Sequence, residues 1–146
     1  MLIVYLIFAI ESFYPNQKIY LLYAILVAIL SDIGGLIIGK TFKGKKLTKI
    51  SPNKTISGSV GSFVFSIILI PFFYEDLIEF NFLIIIIITL IISFISQTGD
   101  LFISYMKRKA KVKNTSDMLP GHGGFLDRVD GIIFAIPIGL ILFNLF

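Results

Sequence analysis

Between Gly99 and Gly131 the sequence gathers side chains suited to holding a metal–phosphate group. Asp100, Ser104 and then Lys107 or Arg108 follow helical spacing, which sets a carboxylate, a hydroxyl and a cation along one face. Next comes Leu119-Pro120-Gly121-His122-Gly123-Gly124-Phe125-Leu126-Asp127-Arg128-Val129-Asp130. The proline and three glycines break a helix and let backbone N–H groups approach a phosphate closely. Asp127 and Asp130 are three apart, so they share a face once the next helix starts. Capping that helix is the plain reading of one such acid, but two acids around Arg128 exceed what a cap requires. His122 is either a structural loop histidine or a group that orients a phosphate.

A second cluster reads Gly39-Lys40-Thr41-Phe42-Lys43-Gly44-Lys45-Lys46-Leu47, then Ser51-Pro52-Asn53-Lys54-Thr55-Ile56-Ser57-Gly58. Lysine, serine and threonine donors ahead of a helix N-terminus suit an anion. The Walker A spacing is missing, and a solvated basic loop is the competing reading. Oxygen ligands gathered at a membrane surface suit Mg²⁺, which takes a few carboxylates plus substrate phosphates. Lysines around them suit a polyanion. Cysteine is absent and there is one histidine, which excludes disulfides, thiolate metal sites and multi-histidine centres within the chain.

The elements that position these groups are membrane helices. Hydrophobic residues make up 56% of the 146 and charged residues 15%, with a mean hydropathy of +0.93. A water-facing domain carries ~25% charged residues. Segments of the ~20 residues a span needs run Ile19–Ile38, Ile56–Tyr74 and Phe80–Ile103, with Gly131–Phe146 shorter and Met1–Tyr14 apolar except for Glu11. The expectation is an all-α, polytopic integral membrane helix bundle of about five transmembrane helices, forming a single domain over 1–146. Its site motifs lie at 31–58 and 99–131. The Ile84–Ile88 run needs no role beyond lipid contact, and Gly35-x-x-x-Gly39 is a helix-packing stripe.

Loop charge sets the orientation. Twelve of the thirteen basic residues fall in the 40–54 and 107–128 stretches, and only Lys18 lies elsewhere. The loop between them on the other side holds Glu75, Asp76 and Glu79 and no base. The positive-inside rule makes both basic stretches cytoplasmic, with the N-terminus inside and the C-terminus outside. Asp32 and Asp100 are carboxylates within spans, which cost roughly 2.5–3.5 kcal/mol on insertion scales and so usually face a polar cavity. Asp32 suits either a lysine of the next loop or a metal.

Together the two clusters resemble the phosphatidate cytidylyltransferases (CDP-diacylglycerol synthases). Ser104-Tyr105-Met106-Lys107-Arg108, Lys113, Leu119-Pro120, His122-Gly123-Gly124-Phe125 and Asp127-Arg128-Val129-Asp130 match the long C-terminal pattern of that family in order and spacing. Gly99-Asp100-Leu101 matches its upstream Gly-Asp-Leu, and Ser51-Pro52-x-Lys54-Thr55-x-x-Gly58 its nucleotide-side motif. Asp32, Gly39, Gly44 and Lys45 resemble the element before that. Asn114, Ser57 and Leu36 depart from the usual aspartate, acid and aromatic. Family members usually carry several more N-terminal spans, so the chain reads as a compact member or as a C-terminal portion.

The resemblance implies the reaction of CTP with phosphatidate to give CDP-diacylglycerol and pyrophosphate. It implies Mg²⁺, alone or with a second metal ion, on Asp100 and Asp127 with Asp130 assisting. Lys107, Arg108 and Arg128 would steady phosphates and His122 orient one. Ser51, Pro52, Lys54, Thr55 and Gly58, with Ser104, Gly123 and Gly124, would bind substrate. The implied partners are CTP, phosphatidate and the bilayer, with no nucleic acid. A homodimer is expected from family analogy and the Gly35/Gly39 pair. The implied location is a bacterial cytoplasmic membrane, with the site on its cytoplasmic face. The rival readings are a CTP-dependent polyprenol kinase and a non-catalytic fragment or membrane subunit.

Overall fold

In the computed structural model the described residues are 17–48, 54–110 and 126–146, the last with side chains from Gly131 onward. They form α1 (Gln17–Phe42), α2 (Ile56–Ile68), a single turn α3 (Ile70–Phe73), α4 (Phe82–Lys109) and α5 (Leu126–Leu145). Helices are what a bilayer permits, because each satisfies its own backbone groups where no water can. Among the described residues the only extended pairing is one isolated bridge, Lys46 to Thr55.

Among the described residues three helical stretches are long and apolar enough to cross a membrane: Gln17–Phe42, Ile56–Phe73 and Phe82–Lys109. At 1.5 Å per residue α1 and α4 are about 40 Å long, more than the ~30 Å hydrocarbon core. Their last turns, with Lys40 and with Lys107, Arg108 and Lys109, therefore reach beyond it. The count is lower than the five expected from sequence. The apolar part of α5 is only Gly131–Leu145, about 22 Å long, and the expected span at Met1–Tyr14 lies outside the described residues. The expected second span is present as Ile56–Phe73; Leu69, with helical backbone angles, joins α2 to α3 ahead of Pro71, whose missing N–H leaves one helical hydrogen bond unmade.

Small residues and interior hydrogen bonds hold the bundle, since apolar side chains gain little by leaving lipid for one another. Helices α1 and α2 pack antiparallel along glycines. A methyl built on Gly34 would lie 2.6 Å from the Gly61 carbonyl oxygen, and one on Gly39 would lie 2.9 Å from Thr55 Oγ1. The Gly35/Gly39 stripe thus packs α1 against α2 within the chain. Helix α4 packs against α1, α2 and α5. Its Thr89 meets the Tyr23 hydroxyl at 2.6 Å and its Ser93 meets Ser31 at 2.9 Å, both fully buried. Ile85 and Ile88 are also fully buried, in a core with Tyr23, Val27 and Phe143. Part of the isoleucine run is therefore interior rather than lipid-facing, because helical period carries two of its five side chains inward. Gln17 Nε2 donates to Asn144 Oδ1 at 2.9 Å, tying α1 to α5.

The C-terminal ends of α1 and α4 and the N-terminal ends of α2 and α5 consequently share one end of the bundle. Glu75, Asp76 and Glu79 fall at the other, between α3 and α4.

Replacing Gly34 by valine should destabilise the bundle by about 1–3 kcal/mol or more through overpacking, read as a lower Tm in detergent. Tyr23→Phe should cost less than about 1 kcal/mol, because Thr89 Oγ1 already donates to the Ile85 carbonyl at 2.7 Å. Equal melting of Gly34→Val and the unsubstituted protein would remove the glycine contact as a determinant.

Candidate functional site

The site is built where α1 ends and α2 begins. After Phe42 the chain turns through Lys43, whose φ of 42° is left-handed, and then folds back on itself. Leu47 N–H donates to the Lys54 carbonyl at 2.7 Å, and Ile56 N–H to the Lys45 carbonyl at 2.9 Å. Thr55 caps α2, its Oγ1 accepting from Gly58 N–H at 3.0 Å. Ser57 Oγ accepts from Gly44 N–H at 3.3 Å and lies 3.1 Å from Thr55 Oγ1. Ser57 thus fastens the loop to the helix start.

This fold-back carries Lys54 onto α4, where its ammonium forms an ion pair with the Asp100 carboxylate. Ser104, one turn on, donates to the other Asp100 oxygen at 3.4 Å. One turn back, Ser59 Oγ donates to Gln97 Oε1 at 2.5 Å. The two rungs join α2 to α4 and frame a cavity of about 860 Å³, within the range of small-molecule sites. Its polar wall comprises Lys54, Thr55, Ser59, Ser62, Gln97 and Asp100. Asp32 and Lys40 join them from α1, and Ile29, Ile33, Leu36, Leu47 and Ile132 give the apolar wall. Two carboxylates and two ammonium groups thus face one cavity at the basic end of the bundle. The N-terminus of α2 adds its partial positive charge, which favours an anion.

Of the residues expected from sequence, Lys54, Thr55, Gly58 and Asp100 come together around this cavity, and Ser104 reaches it through Asp100. Lys107 and Arg108 lie in the last turn of α4, outside the lining. Ser51, Pro52, His122, Gly123 and Gly124 lie outside the described residues. Asp127, Arg128 and Asp130 fall on the first turns of α5, where only the backbone is described. Helix α5 starts at the cavity edge, since Ile132 lines it. Asp32 Oδ2 sits 3.7 Å from where a Gly131 methyl would be.

Sequence reasoning did not single out Ser59, Ser62 and Gln97, which also line the cavity. The available signal was spacing. Gln97 precedes Asp100 by one turn in an apolar run, and Ser59 and Ser62 continue the face that begins at Thr55.

The structure thus defines a membrane helix bundle whose basic end gathers carboxylates, ammonium groups and a capped helix N-terminus around one cavity. The family model described as "Cytidylyltransferase family" matches residues 1–146, and the chain belongs to that family. Relatives include a phosphatidate cytidylyltransferase of Staphylococcus haemolyticus, 42% identical over 122 residues, which cover 82% of this chain and 46% of that protein. The Staphylococcus saprophyticus one is 43% identical over 122 residues, with the same coverage. That of Rickettsia typhi is 41% identical over 131 residues, covering 84% of this chain and 57% of that protein. The chain spans about half the length of these relatives.

Lys54 and Asp100 are 27% and 25% exposed, so the pair is neither fully solvated nor fully buried. Lys54→Met and Asp100→Asn should each destabilise the protein, and their effects should be non-additive by about 1 kcal/mol in a double-mutant cycle read from melting temperatures. Strict additivity would remove the ion pair as a link between α2 and α4.

Proposed function

We propose that this cavity is the reaction site of a CTP:phosphatidate cytidylyltransferase, forming CDP-diacylglycerol and pyrophosphate. The observation that supports this best is the meeting of Lys54, from the Ser-Pro-x-Lys-Thr motif, with Asp100, from the Gly-Asp-Leu motif. The names of the relatives point the same way. The position at the basic end of the bundle suits one soluble and one membrane-bound substrate. By the positive-inside rule that end is the cytoplasmic face of a bacterial membrane.

In the proposed reaction a phosphate oxygen of phosphatidate attacks the α-phosphorus of CTP. A new P–O–P linkage forms, the bond from the α-phosphorus to its bridging oxygen breaks, and pyrophosphate leaves in line. Such chemistry requires positioning and charge neutralisation rather than a covalent nucleophile. Lys54 and Lys40 supply positive charge within the cavity, and Thr55 and Gly58 form the anion-favouring start of α2. Lys107, Arg108 and Arg128 would steady phosphates, and His122 would orient one, with Gly123 and Gly124 among the substrate-binding residues.

The chemistry of the donors fits Mg²⁺. Asp32, Asp100, Ser59, Ser62 and Gln97 bring side-chain oxygens to one cavity, and Mg²⁺ takes one or two carboxylates together with substrate phosphates. Asp127 and Asp130 would join Asp100 as the carboxylate ligands. These three would hold the ion, alone or with a second, and it would offset the phosphate charge.

The test uses CTP labelled at the α-phosphate, phosphatidate and Mg²⁺ with the detergent-purified chain. The expected result is label in the lipid fraction, lost to background in Asp127→Asn at unchanged expression and melting. Lipid labelling from γ-labelled CTP instead would indicate a kinase. Absence of label from both, with a folded chain, would indicate a non-catalytic member of the family.

A further inference from the structure

We propose that Lys54 is the exchangeable counter-ion of Asp100: its ammonium yields the carboxylate to a divalent cation and passes to a phosphate of the incoming nucleotide. This rests on the metal-dependent reading above and adds to it how metal and nucleotide come to depend on one another.

Both oxygens of Asp100 are in use. Lys54 Nζ pairs with Oδ2, and Ser104 Oγ donates to Oδ1 at 3.4 Å. The Ser104 contact is long and neutral, and its hydroxyl oxygen keeps lone pairs that can turn toward a cation. The ammonium has three donors and no lone pair to offer, and it repels a divalent cation. Lys54 and a metal therefore exclude one another at Asp100. Each partner of the pair keeps about a quarter of its surface exposed, and an ion pair so placed is weak enough to be exchanged.

The backbone around Lys54 is pinned, and its side chain is long. The Lys54 carbonyl accepts from Leu47 N–H at 2.7 Å, and Ile56 N–H donates to the Lys45 carbonyl at 2.9 Å. Between them Thr55 caps α2. The ammonium rides on a flexible four-carbon stem, so it can leave Asp100 without the loop unfolding. It then remains beside the N-terminus of α2, where backbone dipoles favour an anion. Lys40 lines the same cavity from the last turn of α1 but makes no ion pair with Asp100. In this arrangement, occupation of Asp100 by a metal frees the cation that a nucleotide phosphate needs, and the two bind better together than either does alone.

The test titrates the 146-residue chain in detergent with Mn²⁺, whose free electron paramagnetic resonance signal falls on binding, without nucleotide. Lys54→Met should bind Mn²⁺ about fivefold more tightly than wild type, the scale of one partly exposed ion pair. Lys40→Met removes the same charge from the same cavity and should stay within about twofold of wild type, because an exposed charge is screened. Asp100→Asn should weaken binding. Lysine acetylation of the wild-type chain, read by mass spectrometry, carries the test if Lys54→Met melts early. Lys54 should react faster when Mg²⁺ is added and slow again when CTP joins it, with Lys40 unchanged by the metal. Equal Mn²⁺ affinity in wild type and Lys54→Met, equal tightening by Lys40→Met, or Lys54 acetylation indifferent to Mg²⁺ overturns the exchange while leaving the metal reading intact. A Lys54 that stays reactive with CTP present overturns its passage to phosphate. Mn²⁺ binding unaltered in Asp100→Asn overturns Asp100 as a metal ligand, and the exchange with it.

Discussion

The contact of the Lys54 ammonium with the Asp100 carboxylate is the interaction around which the basic end of this bundle is arranged. Each group alone near the hydrocarbon boundary would be expensive, and together they are tolerable. Making the pair requires the loop after α1 to fold back. It requires α2 to start close beside α1, and α4 to turn Asp100 toward that start. The glycine contact between Gly34 and Gly61, the Thr55 cap and the Gly44–Ser57 hydrogen bond all serve that placement.

Helix α4 links the site to the bundle interior. Thr89, Ser93, Gln97, Asp100 and Ser104 recur at spacings of three and four, so one face of an otherwise apolar helix is polar from the core to the basic end. The deeper members are met by Tyr23 and Ser31 of α1, the middle one by Ser59 of α2, and Asp100 by Lys54. Interior hydrogen bonds between membrane helices are individually modest, averaging about 0.6 kcal/mol. Their value here is directional. They set the rotation of α4 about its axis, and rotation decides which side chains face the cavity.

The chain belongs to a cytidylyltransferase family, and the cavity gathers its charged side chains at one end of an otherwise apolar helix bundle. Its carboxylates and ammonium groups line an open cavity together with apolar isoleucines and leucines. A polar head and an apolar tail can occupy such a space together.

Much of this is legible in the sequence. Apolar runs define membrane helices because lipid leaves the backbone no other way to satisfy itself. Loop lysines and acids segregate by side, and two motifs name chemically matched residues. Lys54, Thr55, Gly58 and Asp100 therefore stand out by residue type and spacing alone. Span lengths are less legible at α5, where a short apolar stretch overrides overall hydropathy.

What the sequence determined by itself was the solvent, the helical class, the sidedness of charge and the family, each of which depends on composition or local spacing. Only the tertiary structure decided that Lys54 answers Asp100, that Gln97 is clamped by Ser59 and Ser93, that Asp32 shares their cavity and that Gly35 and Gly39 are used within the chain. Those are relations between helices. They depend on how each helix is rotated and how closely it approaches its neighbour, and no one-dimensional period records either quantity.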